Sequence, residues 1–161
     1  MLSKGIVGLT SAFREALSDL SAGEKVVFVG SSYVCTPFAE LLAYAVRDKN
    51  FELIYVPKAL EFEARRILEL KNVCFYVSNE KADPKNPAAI VLLGGLAMPK
   101  FGCSTKDVMN FIEKIATKNT RILGVCFMGI FKKSGWDKMI PFNLIIDSTM
   151  EVFVEKFENC R

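Results

Sequence analysis

Not one of the 161 residues is histidine. That absence excludes Ser-His-Asp and Cys-His catalysis as usually assembled, and it removes the commonest metal ligand. Acid–base chemistry, if present, falls to Asp, Glu, Lys, Tyr or Cys. No apolar run reaches the roughly 18 residues that span a bilayer, so no membrane partner is expected. The 21 Lys and Arg are scattered among 18 Asp and Glu with no basic block. The net charge of +3 therefore gives no case for a nucleic-acid partner. No CxxC pair occurs among the five cysteines, and the P-loop and GxGxxG spacings are missing. An odd cysteine count argues against a complete disulfide framework. Residues 1–20 carry Arg14, Glu15 and Asp19 at helical spacing, which reads as an amphipathic helix rather than a secretion signal. Reduced thiols and a cytoplasmic setting are the corresponding expectations.

What is present is enough apolar matter for one large core. Half the residues are apolar (51%) and 24% are charged, which suits a single α/β domain over residues 1–161. Apolar runs alternate with helical patterns. Ser11 to Leu20 reads as a helix with Phe13, Ala16, Leu17 and Leu20 on one face. KVVFVG, residues 25–30, is almost wholly apolar and ends in glycine, the pattern of a buried parallel strand. Thr36-Pro37 opens a helix to about Asp48, with Thr36 as cap. Glu52–Val56 is a strand, Leu60–Leu70 a helix with Leu60, Ala64, Ile67 and Leu68 inward, and Val73–Val77 a third strand. A polar loop follows over Asn79–Pro87. Ala88–Leu93 and Arg121–Phe127 are strands flanking a helix that Ser104 caps, with Asp107 completing a capping box. Phe142–Ile146 and Glu151–Val154 are the last expected strands. Unbroken apolar strands between helices imply a three-layer sandwich with a mostly parallel central sheet, Rossmann-like or flavodoxin-like. An antiparallel α+β fold would need polar alternation that residues 25–30 and 88–93 do not show.

Open sheets of this kind bind ligands beyond the carboxyl ends of their strands. Three such ends are glycine-bearing: Gly30-Ser31-Ser32-Tyr33-Val34-Cys35-Thr36, Gly94-Gly95 through Lys100 with Cys103 just beyond, and Gly124-Val125-Cys126-Phe127-Met128-Gly129. Together they are expected to form the ligand site. Gly30, Ser31, Ser32, Thr36, Gly94, Gly95, Phe127 and Met128 would hold the ligand. Tyr33, Leu96, Met98, Phe127 and Met128 would supply an apolar wall, suited to a small planar or acyl molecule with one anionic group. Glu40, one turn into its helix, would reach the same cleft. Lys100 and Asp147 read as solvated. No cofactor is named by the sequence.

AAIVLLGG and ILGVCFMG resemble the core of class I glutamine amidotransferases and their DJ-1-like relatives. Both families run from a strand ending in Gly-Gly to a strand leading into Gly-x-Cys-x-Gly. The resemblance implies that Cys126 is a nucleophile on a tight strand-to-helix turn, with the N–H groups of Phe127 and Gly95 as oxyanion hole. It also implies that Cys35, five residues after Gly30, approaches Cys126, as an acidic residue does in the DJ-1-like proteins. Met128 stands where the tight turn has glycine, and the activating histidine has no counterpart, so the resemblance bears on fold and site position more than on amide hydrolysis. Over its whole length, through FVGSSYVCTPFAELLAYAVRDK and VLLGGLAMPK, the chain also resembles a family of uncharacterised archaeal proteins, mostly from methanogens.

Three functions stay open on these residues. One is a binding protein or enzyme with a reactive Cys126, its thiolate favoured by the following helix N-terminus. Another is a redox or metal-binding module using Cys35 and Cys126, joined by Cys103. The last is a non-catalytic domain that binds a protein partner or forms a homodimer through the same apolar side chains. Cys74, inside a strand, is expected in the core, and Cys160 is a terminal thiol with no partner.

Overall fold

Lys25–Gly30 (β1), Glu52–Pro57 (β2), Ala89–Leu93 (β5) and Arg121–Phe127 (β6) are the strands with the longest runs of buried residues. Apolar side chains on both faces of these strands require cover on both sides, and the computed structural model, which describes residues 4–157, shows that cover. One seven-stranded sheet runs in the order β4-β3-β2-β1-β5-β6-β7, with β3 Arg65–Leu70, β4 Cys74–Lys81 and β7 Leu144–Ser148. β2, β1, β5, β6 and β7 are mutually parallel; β3 and β4 form an antiparallel extension. The parallel strands, taken in chain order, stand second, first, third, fourth, fifth. That is the flavodoxin-like arrangement, whose topological switch point falls between β1 and β5.

Helices α1 (Gly5–Ala16) and α2 (Thr36–Ala45) cover one face, where Phe13 packs on Phe28 at 5.8 Å between ring centroids. The other face is covered by α3 (Thr105–Ile115) and by the short α4 (Ile130–Lys133) and α5 (Trp136–Met139). There Phe131 sits against both Trp136 and Phe142. The predicted capping box is present: Ser104 Oγ accepts from Asp107 N at 3.1 Å and Asp107 Oδ2 accepts from Ser104 N at 3.3 Å.

Seven expectations are corrected. Residues 60–70 are not a helix. They hold a 3-10 turn, Glu61–Glu63, and then β3, because pairing with β2 and β4 outweighs a weak helical period. Cys74 is exposed, since it opens β4 at the outer edge of the sheet. Residues 79–81, expected in the polar loop Asn79–Pro87, belong to β4. Thr36 is the first residue of α2, and Cys35 takes the cap position without a side-chain cap bond. Glu151–Val154 forms no strand, having no neighbour to pair with. The first helix begins earlier than its pattern suggests, and the last strand is shifted to Leu144–Ser148. Cys160 lies outside the described residues. No helix is long and apolar enough to cross a membrane among the described residues.

Candidate functional site

At the switch point the two glycine-bearing loops pack against each other. Ser31 is 1% exposed, donates Oγ–H to the carbonyl of Gly95 at 3.1 Å, and accepts from Cys35 N through its own carbonyl at 2.9 Å. A side chain at Gly95 would meet Cys35 Sγ at 2.4 Å, and one at Gly94 would meet Cys126 Cβ at 2.7 Å. A side chain at Gly30 would likewise collide with Cys35 Cβ. These glycines are present because the two thiols fill the volume that side chains would take. Cys35 belongs to the core layer under α2 and Cys126 to the layer under α4, so consecutive glycines of one loop separate the two cysteines across the sheet.

Cys126 is not on the turn. It is 1% exposed within β6 and pairs in register with Asp147 of β7. The left-handed residues come later, at Met128 (φ 57) and Gly129 (φ 71). Cys126 Sγ donates to Asp147 Oδ1 at 3.4 Å, and that oxygen also accepts from Gly129 N at 3.0 Å. Burial raises the thiol's pKa to about 11; the N–H groups of Phe131 and Ile130 pull the other way, and the Asp147 carboxylate adds to the rise. Cys35 is raised too, by burial against opposing backbone hydrogen bonds from Ser31 and Gly95. Both are protonated thiols at neutral pH, and the helix after Cys126 has only four residues to lend its dipole.

The remaining expected site residues scatter. Ser32 is exposed, and Tyr33 (φ 66) is 92% exposed. Phe127 packs against Phe38 in a tilted pair at 4.7 Å between ring centroids, Leu96 is fully buried, and Met128 is half exposed. Thr36 and Gly94 are partly buried, and Lys100 is solvated as expected. Glu40 accepts from Val77 N at 3.1 Å, tying α2 to β4 instead of facing a cleft. No three His, Cys, Asp or Glu side chains come together to hold a metal among the described residues, so the joint cysteine centre is not formed.

A cavity of about 830 Å³ lies one strand over, at the carboxyl end of β2. Its walls are the β2–β3 connection (58–62), the crossover 82–85, and the α3 side with Cys103, Asn110, Phe111 and Lys114. Its floor begins at an unusual turn. Lys58 (φ 48) and Ala59 (φ 61) are both left-handed, and Leu60 N closes onto Pro57 O at 2.9 Å. That is the type I′ pattern, which glycine and asparagine normally occupy. Each non-glycine residue there costs roughly 1–2 kcal/mol. Glu61 reaches across to Lys85 at 3.9 Å and to Lys114, whose ammonium faces the buried Oε2 as an ion pair rather than an aligned hydrogen bond. Cys103 is pushed up to about 11 by burial and by Asp107, with Lys58 opposing. Lys58 itself makes no salt bridge among the described residues. Of these residues, sequence reasoning places only Cys103 near a site. The one local signal was Phe62, apolar between Glu61 and Glu63, which is 71% exposed.

These environments give a direct expectation for thiol chemistry. Under iodoacetamide at pH 7.5, Cys74 should alkylate at the rate of an ordinary exposed thiol, while Cys35 and Cys126 react at least about 100-fold more slowly, because thiolate fraction and access both fall. Peptide mass spectrometry over time checks it, and rapid modification of Cys126 in the folded protein would contradict it.

A family model described as "Uncharacterized protein conserved in archaea" (DUF2124) matches residues 4–151. An uncharacterised protein of Methanocaldococcus jannaschii is 39% identical over 154 residues, covering 93% of this chain and 89% of its own. Another, from Methanothermobacter thermautotrophicus, is 36% identical over 151 residues, covering 94% of each. A crystal structure of a protein of unknown function from Methanothermobacter thermautotrophicus superposes with a TM-score of 0.87 at 33% identity, over 98% of this chain and 96% of that one. The α/β sandwich agrees with it. None of these four matches brings in the amidotransferases.

Proposed function

This chain belongs to the uncharacterised archaeal family DUF2124, and from that premise we propose that it is a small-molecule-binding protein whose ligand enters the cavity at the end of β2. The site stays at the carboxyl edge of the parallel sheet, with its centre moved from Cys126 to Lys58. One observation carries the reading: the strained, left-handed pair Lys58–Ala59 borders a cavity of about 830 Å³, and Lys58 is a cation without an ion-pair partner there. Backbone strain of this kind persists where the surrounding structure enforces it, and it collects at ligand sites. The volume is in the range of small-molecule pockets. Phe62, Leu60, Phe111 and Pro84 offer apolar contact, so the fitting ligand is anionic with an apolar or planar body. A thiol-catalytic reading is less well supported, because Cys126 is buried and protonated with only a carboxylate beside it.

Thermal denaturation with inorganic phosphate, citrate, adenosine monophosphate and octanoate tests this. A ligand at about 100 times its Kd adds about 2.7 kcal/mol, which raises Tm by roughly 5–10 °C in a chain of this size. Lys58→Glu should abolish the shift, and Cys126→Ala should retain it. The proposal fails if none of the four anions shifts Tm, or if the shift survives Lys58→Glu and is lost in Cys126→Ala.

A further inference from the structure

β7 is the last strand of the sheet, and its outer backbone edge has no partner among the described residues. Natural sheets protect such edges with lysine, proline, bulges or a covering element. Leu144–Ser148 reads LIIDS and carries neither lysine nor proline. Residues 149–157, which follow, form no helix, strand, turn or bend, and none of them pairs with β7. This segment, TMEVFVEKF, is rich in β-branched and aromatic residues. Its large apolar side chains are in water: Met150 59%, Val152 78%, Phe153 89%, Val154 81% and Phe157 80% exposed.

Strand alternation determines which side these residues take. Ile146 packs into the layer under α1 and α2, and Ile145 into the opposite layer. If the two-residue period of β7 is carried on through this segment, Met150, Val152 and Val154 fall with Leu144 and Ile146 on the α1 side. α1 lies beside β7 on that side, and Ile6 and Val7 at its start are 63% and 76% exposed. Arg121, at the beginning of β6, donates to Ala16 O at the end of α1, so the start of α1 lies at the carboxyl end of the sheet, where the tail departs.

We propose that two copies of this chain associate through this edge, the segment 149–157 of each adding as an antiparallel strand to β7 of the other. A strand whose following segment extends beyond its own sheet becomes complementary to itself under a two-fold rotation once that segment adopts strand conformation. Two such strands laid antiparallel put each tail beside the partner's bare β7 edge and close the assembly at two. The same operation brings the apolar tail against the partner's Leu144, Ile6 and Val7, which removes the exposed patch that a monomer retains. The partner is a second copy because the vacant edge and the segment that fits it are on the same chain and are not paired with each other within it among the described residues. This inference is independent of the cavity at β2.

Sedimentation equilibrium on the full-length protein gives the test. The wild type should sediment at twice the 18.0 kDa chain mass. Adjacent strand residues point their N–H groups to opposite sides, so the double variant Val152→Pro/Phe153→Pro removes the donor facing the partner in either register. It should raise the dimer dissociation constant about 100-fold or more while leaving Tm extrapolated to low concentration unchanged. Phe62→Asp, an equally exposed apolar position on the far side of the molecule, should leave the dimer intact. Hydrogen exchange should show the outward amides of 144–148 protected in the wild type and open in the proline variant. A wild type that remains monomeric at 200 µM, a proline variant that dimerises normally, or association beyond two copies would each overturn the proposal.

Discussion

Gly102→Ala should destabilise the protein by about 3 kcal/mol, near the upper end of what overpacking costs. A methyl group there would meet the carbonyl oxygen of Leu96 at 1.9 Å, its carbon at 2.6 Å and the oxygen of Met98 at 2.8 Å. All three are backbone atoms, so no side-chain rotation relieves the overlap. The loop is drawn tight by Gly102 N to Met98 O at 2.8 Å and Cys103 N to Leu96 O at 3.1 Å, and Leu96 is fully buried. Admitting the methyl means breaking those bonds or lifting Leu96 out of the core. Gly23→Ala is the comparison. It has φ +84 and nothing within 4 Å, so only the left-handed backbone penalty of about 1 kcal/mol applies. Urea unfolding at 25 °C measures both. A Gly102→Ala midpoint no lower than that of Gly23→Ala would mean the loop yields and does not hold Leu96 in place.

Stability should also fall steeply on the alkaline side. Cys126, Cys103 and Cys35 all have thiols harder to ionise in the folded protein than in the unfolded chain. Between the two pKa values the unfolded state releases a proton that the folded state keeps, so unfolding is favoured as pH rises. The full contribution is present below about pH 9 and is lost progressively towards pH 11. For Cys126, a rise from 9.0 to about 11 corresponds to roughly 2–3 kcal/mol. Cys103 is only partly buried and contributes less. Denaturant midpoints at pH 7.5, 9 and 10.5 should show the decline, and Cys126→Ala should flatten it although that variant is weaker at neutral pH. Equal slopes in the two proteins would remove Cys126 as the source.

The parallel core could be read from the sequence because burial on both faces forces unbroken apolar runs, as in residues 25–30 and 89–93. The capping box was legible for a local reason, since Ser104 and Asp107 satisfy each other's backbone within one turn. The β3–β4 hairpin was not. Leu60, Ala64, Ile67 and Leu68 fit a helical period, but what decides their structure is pairing with strands that the local pattern does not contain. The glycine-bearing strand ends are legible in the sequence, and what their glycines face is not. Glycine beside a strand end suggests open backbone, and cysteine nearby suggests reactivity; here Gly94 faces Cys126 and Gly95 faces Cys35, and each pair fills its own space. The cavity at Lys58 had no such flag, because a lysine and an alanine in left-handed conformation leave no compositional trace.

The sheet order also bears on how the chain is made. Its first four strands, through Lys81, form one contiguous half of the sheet, and the last three form the other, so the switch point between β1 and β5 is also a boundary in time during synthesis. As the chain emerges from its amino end, β4-β3-β2-β1 can assemble while residues 89–93 are still unmade. Until they emerge, the inner edge of β1, whose Val26 to Val29 end up fully buried, lies open at the ribosome. The nascent half-sheet therefore presents its stickiest edge before its covering strand exists, and the rate at which β5 is delivered sets how long that exposure lasts.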